Sequence, residues 1–170
     1  MAGEAPTVPS ELLARGHRFA IIASRYHEEI GKRLVEGARE VLRRHGAAEK
    51  DILVVWVPGA FELPQAALAV ARRGRVDALV CVGCVIRGET PHFEYVAGEA
   101  ARGIGEVGRL TGIPATFGVV TAENADQAFD RAGGRVGNRG AEAAGAAVEL
   151  VALLQALDRR APRRKARPRR

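Results

Sequence analysis

Ala78-Leu79-Val80-Cys81-Val82-Gly83-Cys84-Val85-Ile86, followed at once by Arg87-Gly88-Glu89-Thr90-Pro91-His92, decides the fold of this chain. The first nine residues are too uniformly apolar, and too rich in β-branched side chains, for a strand with one wet face. Ended by Gly and Pro, they read as a parallel strand buried on both sides. Polar groups and a histidine follow directly. Thr90 and His92 therefore stand at the carboxyl edge of a central strand and at the start of the next helix, where open α/β sheets bind their ligands.

Outward from this strand, apolar runs alternate with amphipathic helices. Residues 18–24 (RFAIIAS) read as a strand. Residues 28–45 read as a helix whose Ile30, Leu34, Ala38, Val41 and Leu42 share a face, with Gly46 as its stop. Residues 51–57 (DILVVWV) form a second strand cut by Pro58-Gly59, and residues 63–73 a helix ended by Gly74. After the central strand come a helix over 92–110, with Val96, Ala100, Ile104 and Val107 inward, and a strand over 113–120. Thr121 is the expected N-cap of a short helix over 123–132, and an alanine-rich helix spans 141–157. Four strands separated by helices imply right-handed crossovers and a four-stranded parallel sheet covered on both faces, a three-layer α/β/α sandwich. The loops at 24–29, 58–63, 87–92 and 121–124 then share one edge.

At 170 residues and 47% hydrophobic content the chain is one domain with a sizeable core. Its net charge of +6 is unevenly placed: residues 159–170 hold eight of the 26 basic residues, and without them 18 bases face 20 acids. The division expected is an extension over 1–17, a folded domain over 18–158, and a basic, disordered tail over 159–170. The near-neutral body argues against a nucleic-acid partner, although the tail has the charge to touch RNA, lipid or an acidic protein. Met1 to Gly16 has acids and prolines but no apolar core region, and no apolar stretch reaches the ~18 residues a bilayer requires, so a cytoplasmic protein without membrane contact is expected.

Cys81 and Cys84 spell C-x-x-C, but on a strand residues three apart face opposite ways with Cα atoms about 10 Å apart. Disulfide closure needs less than ~7 Å, so both read as buried core, and no other residue cluster has metal-ligand spacing. His17 and His45 read as solvent-exposed, and Arg87 as the ion-pair partner of a helix carboxylate. Elsewhere the loops offer chemistry. Tyr26 and His27 bring an aromatic ring and a second imidazole, and residues 58–62 a carboxylate with free backbone groups, a set suited to a planar polar ligand. Gly88-Glu89-Thr90 supplies N–H groups to a phosphate; the Glu89 side chain would repel it and should turn away. His92 is the natural proton carrier. Without further context, His92 would be a helix cap, Phe61 and Phe117 core residues, and Arg131 a last-turn cation satisfying the helix dipole.

VPGAFELP (57–64), GCVIRGETPHFEYV (83–96), FGVVTAENADQAFDRAG (117–133) and GNRG (137–140) resemble the lumazine synthase family of riboflavin biosynthesis, in order and spacing from Arg18 to Leu157. The resemblance implies a flavodoxin-like fold. It also implies condensation of 5-amino-6-(D-ribitylamino)uracil with 3,4-dihydroxy-2-butanone 4-phosphate to 6,7-dimethyl-8-ribityllumazine, phosphate and water, with no metal or organic cofactor. By position, Tyr26 matches the ring stacked on the pyrimidine. Ala60-Phe61-Glu62 matches the stretch that holds that substrate, with Glu62 accepting ribityl hydroxyls, and Cys84-Val85-Ile86 the strand end that reads the uracil edge. Glu89 and Thr90 match the phosphate loop, Arg131 the guanidinium on the same phosphate, Phe117 an aromatic lent by a neighbouring subunit, and His92 the catalytic acid/base. Tyr26 stands where phenylalanine or tryptophan is commoner, His27 where asparagine is, and Arg139 where lysine is.

A lent aromatic implies a homopentamer with sites between subunits. The short link at 133–140 lacks the insertion of forms that stop there, so an icosahedral shell of pentamers is expected, with riboflavin synthase as cargo. Ala, Gly and Arg richness points to a GC-rich bacterial genome. Two other classes compete: a non-catalytic flavin- or lumazine-binding shell protein, and a nucleic-acid-associated module acting through the arginine tail.

Overall fold

The computed structural model describes residues 13–160. Most of the extension expected over 1–17 and of the tail expected over 159–170 lies outside the described residues. In chain order the elements are β1 (Phe19–Ser24), α1 (Glu28–Arg44), a one-turn 3-10 helix (Glu49–Asp51), β2 (Ile52–Val57), a second (Ala60–Glu62), α2 (Leu63–Arg72) and β3 (Ala78–Ile86). There follow α3 (His92–Thr111), β4 (Ala115–Ala122), α4 (Ala125–Asp130), β5 (Ala132–Gly134), β6 (Gly137–Asn138) and α5 (Arg139–Arg160).

The main sheet is parallel throughout, in the order β2-β1-β3-β4. That is the flavodoxin-like winding, in which the strand order reverses between β1 and β3. Every residue of β3 but the last is buried, as its composition predicts. Alternation along the strands builds two cores. Phe19, Ile21, Val80, Val82 and Cys84 face α1 and α5, whereas Ala20, Ile22, Leu79, Cys81 and Val85 face α2 and α3. Helices on both faces make the expected three-layer sandwich. Cys81 and Cys84 are free, buried and on opposite faces, and burial pushes both thiols up to about 12.

Several local expectations shift. β4 begins at Ala115 because Pro114 offers only its carbonyl, which accepts from the Leu79 N–H, and it runs on to Ala122, paired with Ile86. Thr121 therefore lies inside the strand, opposite Val85, and cannot cap a helix. The cap of α4 is Asn124, whose side chain accepts from the Gln127 N–H. The link at 133–140 is a small antiparallel ribbon of β5 and β6. His17 and His45 are half-buried. His17 lies 3.6 Å from Asp77, and His45 Nδ1 lies 2.8 Å from the Val41 carbonyl.

The GNRG segment is a clamp between the first and last helices. Asn138 Oδ1 accepts from the Gly140 and Ala141 N–H groups at 2.9 and 3.1 Å, which starts α5 two residues early, while its Nδ2 donates to the Arg33 carbonyl of α1 at 2.9 Å. A Cβ on Gly140 would collide with the Leu34 carbonyl, so the helices approach closely only because this position is glycine. Helix α5 corrects one expectation: from Arg139 to Arg159 it is long and apolar enough by composition to cross a bilayer. Much of that apolarity is alanine. In this fold Ala143, Ala144, Ala147, Val148 and Val151 of the helix belong to the α1-side core.

Candidate active site

A cavity of about 620 Å³ opens at the carboxyl edge where the strand order reverses. Its back wall is the end of β3. The β1–β3 ladder stops at Ala23↔Val82, whereas β3 continues to Ile86 against β4. Past Val82 the edge of β3 that faced β1 has no ladder partner among the described residues, so alternate N–H and C=O groups there face the cavity side. The Cys84 side chain belongs to the α1-side core, so this residue offers its main chain rather than its thiol.

Three short segments frame that wall. After β1 the chain hugs the β2 loop, with Arg25 N–H to Val57 O at 2.8 Å and Tyr26 N–H to Pro58 O at 3.0 Å. His27 then adopts φ 60° and ψ 54°, a left-handed conformation that a non-glycine residue enters at some cost. Its ring meets that of Tyr26 edge-on at 4.8 Å. Burial lowers the His27 pKa, which favours the neutral ring. After β2, the 3-10 turn at Ala60–Glu62 places a half-buried carboxylate and an exposed Phe61 on the rim. After β3, Gly88 and Thr90 lead to His92 at the first position of α3. His92 is exposed and lines the cavity.

Nine of the twelve residues singled out in the sequence line this one cavity: Tyr26, Ala60, Phe61, Glu62, Cys84, Val85, Ile86, Thr90 and His92. Glu89 is exposed and does not line it. Nor does the 121–124 loop, although it follows a strand at the same edge; its Glu123 pairs with Arg87 instead. Phe117 stands in a separate groove of about 440 Å³ with Thr116, Val119, Arg139 and Glu142. Arg131 is half-buried at the end of α4, its Nη1 donating to the Gln127 carbonyl at 2.9 Å. The one-cleft placement of Arg131 with His92 and Glu62 is thus not what a single chain forms.

Sequence reasoning missed Phe93, Tyr95 and Val96 among the lining residues. Tyr95, three positions after His92 and on the same helical face, is 73% exposed at the rim. That spacing was the one signal to follow. Three exposed aromatics, Tyr26, Phe61 and Tyr95, now accompany a wall of free backbone and an imidazole, an arrangement chemically suited to a flat polar molecule.

The family model described as 6,7-dimethyl-8-ribityllumazine synthase matches residues 16–155, most of the sequence and all of the sheet. It brings with it a transferase-type enzyme of riboflavin biosynthesis that works on small molecules, in agreement with the cavity at the strand reversal. On that match, the chain belongs to the 6,7-dimethyl-8-ribityllumazine synthase family.

Proposed function

We propose that the protein condenses 5-amino-6-(D-ribitylamino)uracil with 3,4-dihydroxy-2-butanone 4-phosphate, giving 6,7-dimethyl-8-ribityllumazine, phosphate and two waters, one from imine formation and one from ring closure. The observation that carries the reading is the coincidence, around one cavity, of an unpaired strand edge, the Glu62 carboxylate, the Thr90 loop and His92. The uracil edge takes the place a neighbouring strand would occupy along Cys84, Val85 and Ile86. Tyr26 stacks on the ring, and Glu62 accepts from ribityl hydroxyls. The loop of Glu89 and Thr90 offers N–H groups to the phosphate at the start of α3.

Imine formation, phosphate elimination and ring closure are chiefly proton transfers between reactants that must first be held together. Orientation therefore supplies a large part of the rate, and one exposed imidazole can shuttle the protons. The phosphate leaves more readily beside cationic and N–H donors, a role that falls to Arg131 of an adjacent copy.

The same reading makes the protein a homopentamer. Phe117 and Arg131 lie away from the chain's own cavity, and they complete a site only if a neighbour receives them. An icosahedral shell of such pentamers around a riboflavin synthase cargo, in the bacterial cytoplasm, extends the proposal. The decisive experiment mixes purified protein with both substrates and follows lumazine absorbance, with sedimentation for the assembly. Binding of the lumazine without turnover would replace this reading with a shell-forming binding protein.

A further inference from the structure

We propose that Arg87 is a positioning residue that holds the first turn of α3, and with it His92, over the cavity. The inference rests on the function just proposed. The segment 87–92 is exposed along its whole length and has no regular structure before His92. Its ends are tied by main-chain bonds: Arg87 N–H donates to the Ala122 carbonyl, and Glu94 N–H to the Pro91 carbonyl, both at 2.9 Å. Among the described residues no side chain bonds to those of Glu89, Thr90 or His92, and α3 has no side-chain cap.

What spans this loop is the Arg87 guanidinium. Its Nε lies 3.1 Å from Glu123 Oε1, its Nη1 lies 3.4 Å from Glu94 Oε1, and its Cζ stands 4.4 Å over the Phe93 ring. Phe93 and Glu94 directly follow His92, so three contacts made by one planar group fix the turn that carries the imidazole. Glu123 is itself seated: its N–H donates to Gln127 Oε1 at 3.0 Å, and the Gln127 N–H donates to Asn124 Oδ1 at 3.0 Å. Arg87 thus ties the histidine's turn to the connection between β4 and α4.

Only arginine suits this post. A planar fork can meet two carboxylates at its edge while its face covers a ring, and an ammonium cannot do all three. Exposed ion pairs are individually weak, so the brace shifts a loop population rather than the stability of the fold.

Arg87→Gln, Arg87→Lys, Glu123→Gln and the Arg87→Gln/Glu123→Gln double variant in the full chain test the proposal by amide hydrogen exchange and steady-state kinetics. In Arg87→Gln, amides of residues 88–93 are expected to exchange about tenfold faster while β3 amides stay unchanged, and kcat to fall about tenfold with KM for the pyrimidine within about twofold. Arg87→Lys should recover part of both, and the double variant should add little to either single change. Unchanged exchange and unchanged kcat in a folded Arg87→Gln protein would overturn the brace. So would faster exchange spread over the core, or a kcat loss matched by loss of folded protein, since either marks a merely structural residue. If the unsubstituted protein makes no lumazine, the proposed function fails, while the exchange measurement still decides whether Arg87 holds the loop.

Discussion

The cavity at the β1/β3 reversal and the groove beside β4 divide residues that the family resemblance gathers into one site, Glu62 and His92 in the first and Phe117 in the second, and they are built in contrary ways. The cavity is concave, with a wall of buried strand, free backbone groups and an exposed imidazole. The groove is an outer flank: Phe117 is 45% exposed, and Arg139 is occupied by an ion pair with Glu142. The first can receive a ligand. The second presents Phe117, an exposed aromatic, at its surface. On the proposed function, one protomer would carry a half-site and, on another face, the part that completes a different half-site.

The largest effect should come from the cavity. His92→Ala removes an exposed side chain and leaves the fold intact, and the rate of lumazine formation should fall by about 10² to 10⁴. A folded His92→Ala protein with full activity would break the comparison outright, since the cavity would then lack its chemistry. Next, Phe117→Ala should cut activity about tenfold or more, and co-assembly with His92→Ala subunits sharpens the contrast. If the two halves come from different chains, mixed assemblies regain about a quarter of the sites, each pairing an intact cavity with an intact groove. No recovery on mixing would place Phe117 and His92 in one chain's site.

The clamp behind the groove comes third. Asn138→Ala loses a helix cap and a bond to the Arg33 carbonyl, and should cost about 1 to 3 kcal/mol in chemical denaturation. Its functional cost should fall on the Arg139 side, with pyrimidine binding to the cavity unchanged. The smallest effect concerns His27. Because burial lowers its pKa, the folded state favours the neutral ring, and stability is lost as pH falls through the ordinary histidine value near 6.5, where the unfolded chain takes up the proton. His27→Asn should flatten the decline in melting temperature between about pH 7.5 and pH 5.5. An unaltered slope would remove the neutral imidazole from the chemistry of the cavity.

Much of the fold and of the cavity was legible in the amino-acid sequence. The run from Ala78 to Ile86 announces a doubly buried strand because period and composition act over nine residues, and β3 occupies those nine. Loop residues such as Tyr26, Glu62, Thr90 and His92 were legible because strand ends in a parallel sheet must share an edge, whereas Cys84, Val85 and Ile86 entered through the family resemblance. What escaped was short or relational. The 3-10 turn at Ala60–Glu62 and the β5/β6 ribbon are too brief for any period to show. Thr121 looked like a cap because register with β3 is not written in local sequence, and Asn124, a better cap, sat three residues on. Phe117 and Arg131 carry no local sign of the direction in which they face. Tyr95 escaped because an exposed aromatic on a helix reads as ordinary surface.

The Asn138 clamp also bears on how the chain is made. It joins residues 105 positions apart, and the core it closes draws on α1 near the start and α5 near the end of the described residues. The opposite core needs nothing beyond Val119. During synthesis the α2/α3 side can therefore consolidate while α1 still lies without its partner, its buried face open to the cellular milieu. Only when residues 138 to 151 leave the ribosome can the second face shut, so the nascent chain passes through a one-sided sheet, the state in which chaperone capture or aggregation has its opening.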